Sequence, residues 1–434
     1  MKVAFFTLGC KVNQYETQAL EQMMASRGHT LVAFDEQADA YVVNTCSVTA
    51  ISDKKSRQII RRARKAAPEA ILAVCGCYSQ THPADMDELA VDLVSGTGDR
   101  AGFAALLEQT WHERQPHVAL DNALARRQFE ILPAGGLAGR TRAMLKVEDG
   151  CANFCSYCII PYARGPVRSL PLEQATAQAA QLAGEGFREL VLTGIEISSW
   201  GRDLPGRPAL IDLAEAVCHA APGCRIRLGS LEPRTITEEF CRRAAGLANL
   251  CPHFHLSLQS GCDTVLQRMN RRYDTARYGQ SVALLRQHFK APAITTDLIV
   301  GFPGETEEEF AQTLAFIQRC DFSAMHIFPY SKRPGTPADK MPSQVPGPVK
   351  DQRAHRAAEL AGQMERRYLE RWVGKTLPVL FEDLQGTLWH GHTDRYVQVA
   401  LSSRRPLQNQ LIPVTIERAE QGLLYAMPVQ EGPT

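Results

Sequence analysis

Short apolar runs alternate with amphipathic segments along the first quarter of the chain. Residues 2–8 form a short apolar run typical of a buried parallel strand, and residues 14–27 form an amphipathic helix pattern that stops at Gly28. Further strands are predicted at residues 31–34, 40–44, 70–74 and 91–94, and further helices at residues 50–67 and 100–109. This βαβ alternation predicts a doubly wound parallel sheet in a first domain of residues 1–115.

The same alternation returns in residues 143–345. Strands are predicted at residues 143–147, 189–193, 224–228, 253–258, 294–300 and 324–328. Helices are predicted at residues 171–183, 209–219, 236–248, 275–288 and 305–319. Repeated βα units of this length favour a partial (β/α)6 barrel. Residues 116–142 lack clear periodicity and include a Pro- and Gly-rich stretch at 133–139, so they are predicted to be a linker.

The end of the chain changes character twice. Prolines between residues 334 and 348 break regular structure, and residues 346–373 then form one long connecting helix in the prediction. From residue 374 the pattern turns to short β runs at 377–381, 396–400, 411–416 and 423–426. Several short strands within residues 374–434 predict a small β-barrel.

Charge, cysteine content and hydropathy limit the classes of function that this chain can have. The formal net charge of +1 excludes a global basic field, so any site for a polyanion has to be a local patch. Thirteen cysteines at irregular spacing do not form a disulfide framework and fit a reducing, cytoplasmic compartment. No apolar run is long enough to span a membrane, and the short run before Lys11 is interpreted as a first strand rather than an export signal.

One predicted helix carries a dense group of basic side chains. They are Lys54, Lys55, Arg57, Arg61, Arg62, Arg64 and Lys65, with no acidic residue between the first and the last. A solvated charged face and a contact with a polyanion explain this pattern equally well.

Cys151, Cys155 and Cys158 stand at a C-x3-C-x2-C spacing on one predicted loop. Three thiolates on a short loop can hold three corners of a [4Fe–4S] cube and leave the fourth iron open to a ligand. Tyr157 places a flat ring beside that opening. A zinc site is one alternative, but it usually needs four ligands and no fourth lies nearby. Buried structural cysteines are the other, since free cysteine is often buried, and the spacing favours the cluster over both.

Three other cysteines follow the ends of predicted strands in the first domain. Cys10, Cys46 and Cys77 would meet at the carboxyl edge of the sheet, where doubly wound folds bind ligands at the switch in strand order. They are candidate ligands of a second cluster, with ordinary buried thiols as the alternative. Cys75 competes with Cys77 because both would lie on one face of a strand, and Cys77 is preferred because it follows Gly76 and begins the loop.

Polar and glycine residues follow the other strands of the predicted barrel. Chemistry in barrels takes place at this carboxyl-end face, where glycines admit a ligand and hydroxyls or carboxylates hold ribose or an amino group. The candidate cofactor-binding residues are Tyr157, Thr193, Gly194, Glu196, Ser230, Glu232, Gln259, Asp297 and Gly301.

The cysteine loop, with an aromatic residue before its last cysteine, resembles the radical S-adenosylmethionine (SAM) superfamily, and further segments resemble its methylthiotransferase family. The first is Thr7-Leu-Gly-Cys-Lys-Val-Asn-Gln-Tyr-Glu-Thr17. The others are residues 43–49, 75–80, 147–151, 158–165, 255–263, 297–306 and 328–336. The wording of the first segment resembles the branch that modifies N6-threonylcarbamoyladenosine beside the tRNA anticodon.

This resemblance implies two [4Fe–4S] clusters, SAM, and insertion of a methylthio group at C2 of the modified adenine. It implies as partners the tRNA anticodon stem-loop, an electron donor of the flavodoxin or ferredoxin type, a sulfur donor, and no membrane. Isopentenyladenosine and a ribosomal-protein aspartate are alternative targets, and a non-catalytic iron–sulfur RNA-binding protein is a more distant alternative. Many radical SAM enzymes carry Gly-Gly-Glu after the second strand, whereas this chain has Thr193-Gly-Ile-Glu196, which leaves the role of Glu196 open.

The C-terminal barrel resembles the TRAM domain that ends this family, which implies RNA binding. Its candidates for phosphate contact or base stacking are His392, Arg395, Tyr396, Arg404 and Arg405. Surface charge and maintenance of the fold account for these residues equally well.

Overall fold

The computed structural model describes residues 1–135 and 141–429, so part of the glycine-rich stretch predicted as a linker, residues 136–139, lies outside the described residues. Three architectures follow one another along the chain: a parallel sheet covered by helices, a partial βα barrel, and a small closed β-barrel. The predicted fold class is therefore confirmed in each part.

The first sheet has the strand order β2-β1-β3-β4-β5-β6, with every neighbouring pair parallel. Its strands are β1 (Lys2–Thr7), β2 (Thr30–Val32), β3 (Ala40–Thr45), β4 (Ile71–Gly76), β5 (Leu93–Ser95) and β6 (His117–Ala119). Its helices are α1 (Lys11–Ser26), α2 (Ala50–Ala66), α3 (Cys77–Thr81), α4 (Asp85–Glu88) and α5 (Arg100–Glu113). The order reverses at β1, which pairs with β2 on one side and with β3 on the other, so the switch point lies between β1 and β3.

Helices cover both faces of this sheet. Leu20 and Met24 of α1 pack with Phe103 and Leu107 of α5 on one face, and Ile60 of α2 packs on the other. The edge strand β6 was not predicted, and it lies beyond residue 115, where the first domain was expected to end. Its three residues are mostly exposed, so they lack the apolar run that marks the buried strands.

The central part is a curved array of parallel strands. Its strands are β7 (Arg142–Lys146), β10 (Glu189–Thr193), β11 (Arg225–Leu228), β12 (Ser230–Leu231), β13 (His253–Leu256), β14 (Ala293–Val300) and β15 (Ala324–Pro329). A two-stranded ribbon of β8 (Glu148–Asp149) and β9 (Arg168–Ser169) flanks the cysteine loop. Sheets β11-β10-β7 and β12-β13-β14-β15 meet where Gly229 divides one strand into β11 and β12, so the six predicted strand positions form one partial barrel.

Helices pack around the outside of this barrel. They are α6 (Ile160–Arg164), α7 (Leu172–Gly184), α8 (Leu210–Ala220), α9 (Glu238–Ala245), α10 (Asp263–Arg268), α11 (Thr275–His288) and α12 (Glu307–Cys320). Short 3₁₀ turns lie at Ala123–Ala125, Ile197–Ser199, Pro233–Thr235 and Pro337–Lys340. One continuous apolar core lies between the buried faces of the longer helices and the strands.

The long helix α13 (Gly347–Glu370) connects the central barrel to the last part of the chain. Ala357 and Met364 belong to the central core, while Tyr368 and Leu369 belong to the core of the C-terminal barrel. That barrel closes in the order β16-β17-β18-β20-β19. Its strands are β16 (Thr376–Gln385), β17 (Leu388–Thr393), β18 (Gln398–Ser402), β19 (Leu411–Glu420) and β20 (Leu423–Pro428).

Strand β17 was not predicted, because its histidines and glycine interrupt the apolar alternation that marks the other strands. Its glycine, Gly391, is needed where β17 meets β16, since a Cβ atom there would lie 2.3 Å from the carbonyl oxygen of Leu380. Among the helices of the described residues, none is long and apolar enough to cross a membrane.

Candidate functional site

The loop that carries Cys151, Cys155 and Cys158 runs between β8 and α6, and it begins at a glycine whose conformation other residues rarely adopt. Gly150 has a φ of +91°, and a Cβ atom there would lie 2.0 Å from the carbonyl oxygen of Pro166. Only glycine fits this close approach to the strand that returns beside the loop. The Cys151 N–H then donates to the Gly165 carbonyl at 3.0 Å, which joins the start of the loop to its end.

A distant turn after α10 holds the middle of this loop. The Ser156 N–H donates to the Met269 carbonyl at 3.0 Å, and its hydroxyl donates to the Arg268 carbonyl at 2.8 Å. Arg271 Nη1 lies 3.0 Å from Cys155 Sγ, so a guanidinium donor supports this sulfur. Sequence reasoning missed Arg271, because nothing in the local pattern links it to a loop more than a hundred residues away.

The three thiols converge on one cavity of about 160 Å³. It is lined by Cys151, Cys155, Tyr157, Cys158, Glu196 and Glu232, among others. Burial raises the pKa of the Cys151 thiol, and burial together with the neighbouring Cys155 raises the pKa of Cys158 to about 12. Buried thiols of this kind ionise only when a cation compensates them, which is what an iron cluster supplies.

No three His, Cys, Asp or Glu side chains within residues 1–135 and 141–429 converge tightly enough to hold a single metal ion. A [4Fe–4S] cube spreads its thiolate ligands over separate iron atoms, so its ligands stand farther apart than those of one ion. Three cysteines around a cavity that polar side chains also line fit a cube and do not fit a closed zinc site.

Only some of the residues predicted to bind the cofactor lie at the cysteine cavity. Tyr157, Glu196, Ser230 and Glu232 line the cysteine cavity. Glu196 accepts hydrogen bonds from the Ser198 N–H and the Ser199 hydroxyl, and burial raises its pKa. This carboxylate therefore faces the cysteine cavity although the chain lacks the Gly-Gly-Glu wording.

The other predicted cofactor-binding residues lie elsewhere. Thr193, Gly194 and Asp297 line a second, larger cavity. Gln259 has a φ of +67° and bridges to Leu298 of β14. A Cβ atom at Gly301 would lie 2.3 Å from Cγ of Lys350, so this glycine makes room for α13 rather than for a ligand in the cysteine cavity.

Cys10, Cys46 and Cys77 meet at the switch point of the first sheet, after β1, β3 and β4. A Cβ atom at Gly9 would lie 2.9 Å from Cys46 Sγ, so the loop that carries Cys10 packs directly on Cys46. Burial, with smaller contributions from the nearby Cys10 and Cys46 thiols and against the opposing charge of Arg164, raises the pKa of Cys77 to about 12. The three thiols therefore form one group, with Cys10 exposed and the other two buried.

Asn13 fixes the geometry of this group. Its side-chain amide donates to the carbonyl oxygens of Leu8 at 2.8 Å and Thr45 at 2.9 Å, which joins the loops after β1 and β3. Cys75 is not in this group, since its side chain belongs to the apolar core with Val3 and Leu20. The chain turns between the two cysteines at Gly76, which has a φ of +103°.

A buried ionic network links the two cysteine groups. Glu16 of α1 is within 2.9 Å of Arg100, Lys146 and Arg164, and Arg164 also donates to Asn13 Oδ1 at 2.7 Å. Burial alone would raise the pKa of Glu16, but these three cations hold it well below its usual range. A charge-compensated network of this kind fixes the orientation of the first sheet on the barrel.

The larger cavity, of about 910 Å³, lies where all three parts of the chain meet. It shares Ser230 with the cysteine cavity, so the two cavities are adjacent. Its lining includes Cys10, Lys11, His253, His326, His392 and Tyr396. Of the residues predicted to contact RNA, His392, Arg395 and Tyr396 line this cavity, whereas Arg404 and Arg405 are exposed residues of a separate loop.

Two family models match separate segments of the chain. A family described as "Uncharacterized protein family UPF0004" matches residues 2–96, and the radical SAM superfamily matches residues 145–317. Both segments contain the cysteines described above.

Several relatives match nearly the whole chain. The threonylcarbamoyladenosine tRNA methylthiotransferase MtaB of Bacillus subtilis is 40% identical over 423 residues, covering 96% of this chain and 94% of the relative. The tRNA-2-methylthio-N(6)-dimethylallyladenosine synthase of Symbiobacterium thermophilum is 32% identical over 449 residues, covering 99% of this chain and 95% of the relative.

Solved structures share the fold at low sequence identity. The radical S-adenosylmethionine methyltransferase TsrM of Kitasatospora setae, solved with tryptophan substrate and a SAM analogue, superposes with a TM-score of 0.57 at 16% identity, covering 84% of this chain and 89% of that protein. This likeness concerns the arrangement of a helix-covered sheet beside a radical SAM barrel.

Proposed function

The chain belongs to the methylthiotransferase family of the radical SAM superfamily, and from this premise we propose that it inserts a methylthio group at C2 of N6-threonylcarbamoyladenosine beside the tRNA anticodon. The Bacillus subtilis relative, which is 40% identical to this chain, has this substrate in its name. The enzyme would use SAM and two [4Fe–4S] clusters, one held by Cys151, Cys155 and Cys158 and the other by Cys10, Cys46 and Cys77.

The observation that carries this proposal is the pair of adjacent cavities. The cysteine cavity contains one complete set of three thiols, and the larger cavity contains Cys10 of the second set. A substrate base in the larger cavity would therefore lie between the two candidate clusters. A radical SAM enzyme with a single cluster would have no reason to direct a second cysteine group towards its substrate.

The clusters and SAM supply radical cleavage of an unactivated C–H bond and the sulfur that replaces the hydrogen, chemistry that side chains cannot perform. The side chains of this chain position and shield the reactants. Arg271 supports Cys155 by a hydrogen bond. Glu196 and Glu232 line the cysteine cavity and would offer their carboxylates to the amino and hydroxyl groups of SAM. Tyr157 is partly buried, packs edge-on against Phe302 and forms one wall of that cavity.

Helix α2 offers a surface for the tRNA backbone. Lys54, Lys55, Arg61, Arg62 and Lys65 are exposed, and within the described residues none of them has an ion-pair partner. The helix begins just after Cys46, and its residue Asp53 forms a buried ion pair with Arg333 of the barrel. Phosphates bound along α2 would thus lead towards the second cysteine group. An electron donor of the flavodoxin or ferredoxin type, a sulfur donor and a cytoplasmic location complete the proposal.

Mass spectrometry of tRNA nucleosides tests this function. A strain that lacks the methylthio derivative of threonylcarbamoyladenosine would be complemented with this chain, and with a variant in which Cys151, Cys155 and Cys158 are alanine. Appearance of the derivative with the wild type alone is the expected result. A methylthio group on dimethylallyladenosine instead would identify the second candidate, which the 32% identity to a dimethylallyladenosine enzyme favours. If neither nucleoside changes, the proposal is wrong.

A further inference from the structure

Lys11 stands apart from the other cations of the larger cavity. It follows Cys10 directly, lines the cavity and is exposed within it. Within the described residues it has no hydrogen-bonded or ion-paired acceptor, and its ammonium lies 6.0 Å from the centre of the Tyr396 ring. The neighbouring arginines are all engaged, since Arg142 pairs with Glu382 and Arg227 pairs with Glu189.

Around the Tyr396 ring, the cationic side chains outnumber the carboxylates that pair with them. The cationic side chains around the Tyr396 ring and its neighbours are Lys11, Arg142, Arg225 and Arg227, and the carboxylates that face them are Glu189 and Glu382. The cavity is also lined by Arg395, Asp297 and Glu365, so the unpaired positive charge is local to Lys11, and an anion bound beside Lys11 would pair with it.

His253 provides an independent sign of a missing ligand. It is 7% exposed, its ring lies 5.4 Å from the ring of Tyr396, and its Nδ1 has no hydrogen-bond partner within the described residues. Buried polar atoms normally have a partner, so this nitrogen would be satisfied if a bound ligand turned the His253 ring towards the cavity that it lines. Burial and the nearby Arg227 keep the pKa of His253 well below its usual range, so the ring is neutral and offers a hydrogen bond rather than a charge.

We propose that Lys11 forms an ion pair with the carboxylate of the threonylcarbamoyl substituent, with His253 as a hydrogen-bond partner of the same substituent. This inference rests on the proposed function, because threonylcarbamoyladenosine carries a carboxylate and a hydroxyl on N6. An isopentenyl group carries neither. Lys11 would therefore determine which modified adenine the enzyme accepts.

The covalent structure of the substrate fits this placement. The carboxylate carbon is four bonds from N6, which spans roughly 5 Å in an extended conformation. C2 and C6 flank the same ring nitrogen, so a base with C2 beside the Cys10 group places its N6 substituent nearby. Lys11 is the residue next to Cys10 in the chain, and its side chain lies in the same cavity.

A backbone phosphate is the competing anion, and binding measurements separate the two. Three anticodon stem-loops would be compared by fluorescence anisotropy: one with adenosine, one with threonylcarbamoyladenosine and one with its carboxylate methyl ester. Variants Lys11→Gln and Lys11→Arg would be compared with Lys375→Gln. Lys375 is a matched control, because it is an exposed lysine that lies 5.3 Å from the ring of Trp372 and does not line the cavity. Iron analysis would establish that each variant keeps both clusters.

The expected result is specific to the free carboxylate. Lys11→Gln weakens binding of the threonylcarbamoyl stem-loop by about tenfold or more, leaves the adenosine and ester stem-loops unchanged, and is partly rescued by Lys11→Arg. An equal loss for all three stem-loops would assign Lys11 to a phosphate, and no loss for any of them would also overturn the inference. If the wild type does not methylthiolate the threonylcarbamoyl stem-loop, the proposed function itself fails, which is a separate outcome.

Discussion

Arg164 Nη1 and Glu16 Oε1 lie 2.7 Å apart, and both side chains are fully buried. Arg164 ends the short helix after the Cys158 loop, and Glu16 lies in the helix after Cys10. This ion pair therefore joins the two cysteine groups through their adjacent helices. Arg164 also donates a hydrogen bond to Asn13 Oδ1, and Asn13 is the residue that joins the loops of Cys10 and Cys46.

Removal of the Arg164 charge is expected to destabilise the whole assembly. Arg164→Gln leaves a buried carboxylate with one cation fewer, which typically costs about 3–5 kcal/mol. Urea unfolding followed by circular dichroism measures this loss. Arg27→Gln, which removes a partly exposed ion pair with Glu108, is the control and should cost about 1 kcal/mol or less. Equal stability of the two variants would show that the buried network does not hold the two parts together.

The cysteine loop is expected to be necessary for SAM cleavage and unnecessary for the other cluster. With Cys151, Cys155 and Cys158 changed to alanine, the anaerobically reconstituted protein should contain about four iron atoms per chain instead of about eight. It should also form no 5′-deoxyadenosine from SAM and dithionite. Cys241→Ala, a change at a buried cysteine of α9, should keep both clusters. Residual SAM cleavage by the triple variant would contradict the assignment.

Cys77 and Cys75 provide a matched pair for the second cluster. Cys77→Ala removes a thiol that lies beside Cys10 and Cys46, so about four iron atoms should be lost. Cys75→Ala removes a thiol in the apolar core and should change only stability, by a small amount. Iron and sulfide analysis with Mössbauer spectra distinguishes the outcomes. Loss of a cluster in Cys75→Ala alone would reverse the assignment.

Glu309 is expected to make part of the stability dependent on pH. The hydrogen bond from Arg268, at 2.6 Å, holds the pKa of Glu309 at about 2, below its ordinary value of 4.5. A carboxyl with a lowered pKa stabilises the fold above pH 4.5 and loses that contribution as the pH falls towards 2. Because the pair is partly exposed, the contribution is expected to be about 1 kcal/mol.

The difference in urea midpoint between the wild type and Glu309→Gln measures this contribution. It should be constant from pH 7 to about pH 5 and should shrink below that value. Comparison of the two proteins at each pH cancels any loss of clusters in acid, since both carry the same clusters. A difference that grows as the pH falls would have the wrong sign for a carboxylate stabilised by Arg268.

Helix α2 is expected to contribute to the salt dependence of tRNA binding. Lys54, Arg61 and Lys65 share one face of the helix, and their change to glutamine should lower the slope of log affinity against log salt by about 0.7–0.9 for each lost phosphate contact. The same change at Arg366, Arg367 and Arg371 on and after α13 is the control, where little change is expected. Equal slopes in all three proteins would assign the basic residues of α2 to a solvated surface.

Much of the fold followed from patterns that are local in the chain. The pattern of apolar residues identified the βα units, because a strand buried on both faces is a short continuous apolar run, whereas an amphipathic helix repeats its apolar residues about every 3.6 positions. Strand β10 and helix α11 were predicted with their observed boundaries for this reason. Strands β6 and β17 were missed because their residues do not form such an apolar run.

The sequence alone determined the cysteine loop, since the spacing of three ligands on one loop is a local property of the chain. It also determined that Cys10, Cys46 and Cys77 follow strands of one sheet. Only the tertiary structure decided that Cys77 turns to the side of Cys10 whereas Cys75 is buried in the core, because this depends on the turn at Gly76. The same holds for the positions of Lys11, His253 and Arg271, which line two cavities where separate parts of the chain meet. Contacts between residues far apart in sequence depend on packing, which no local pattern encodes.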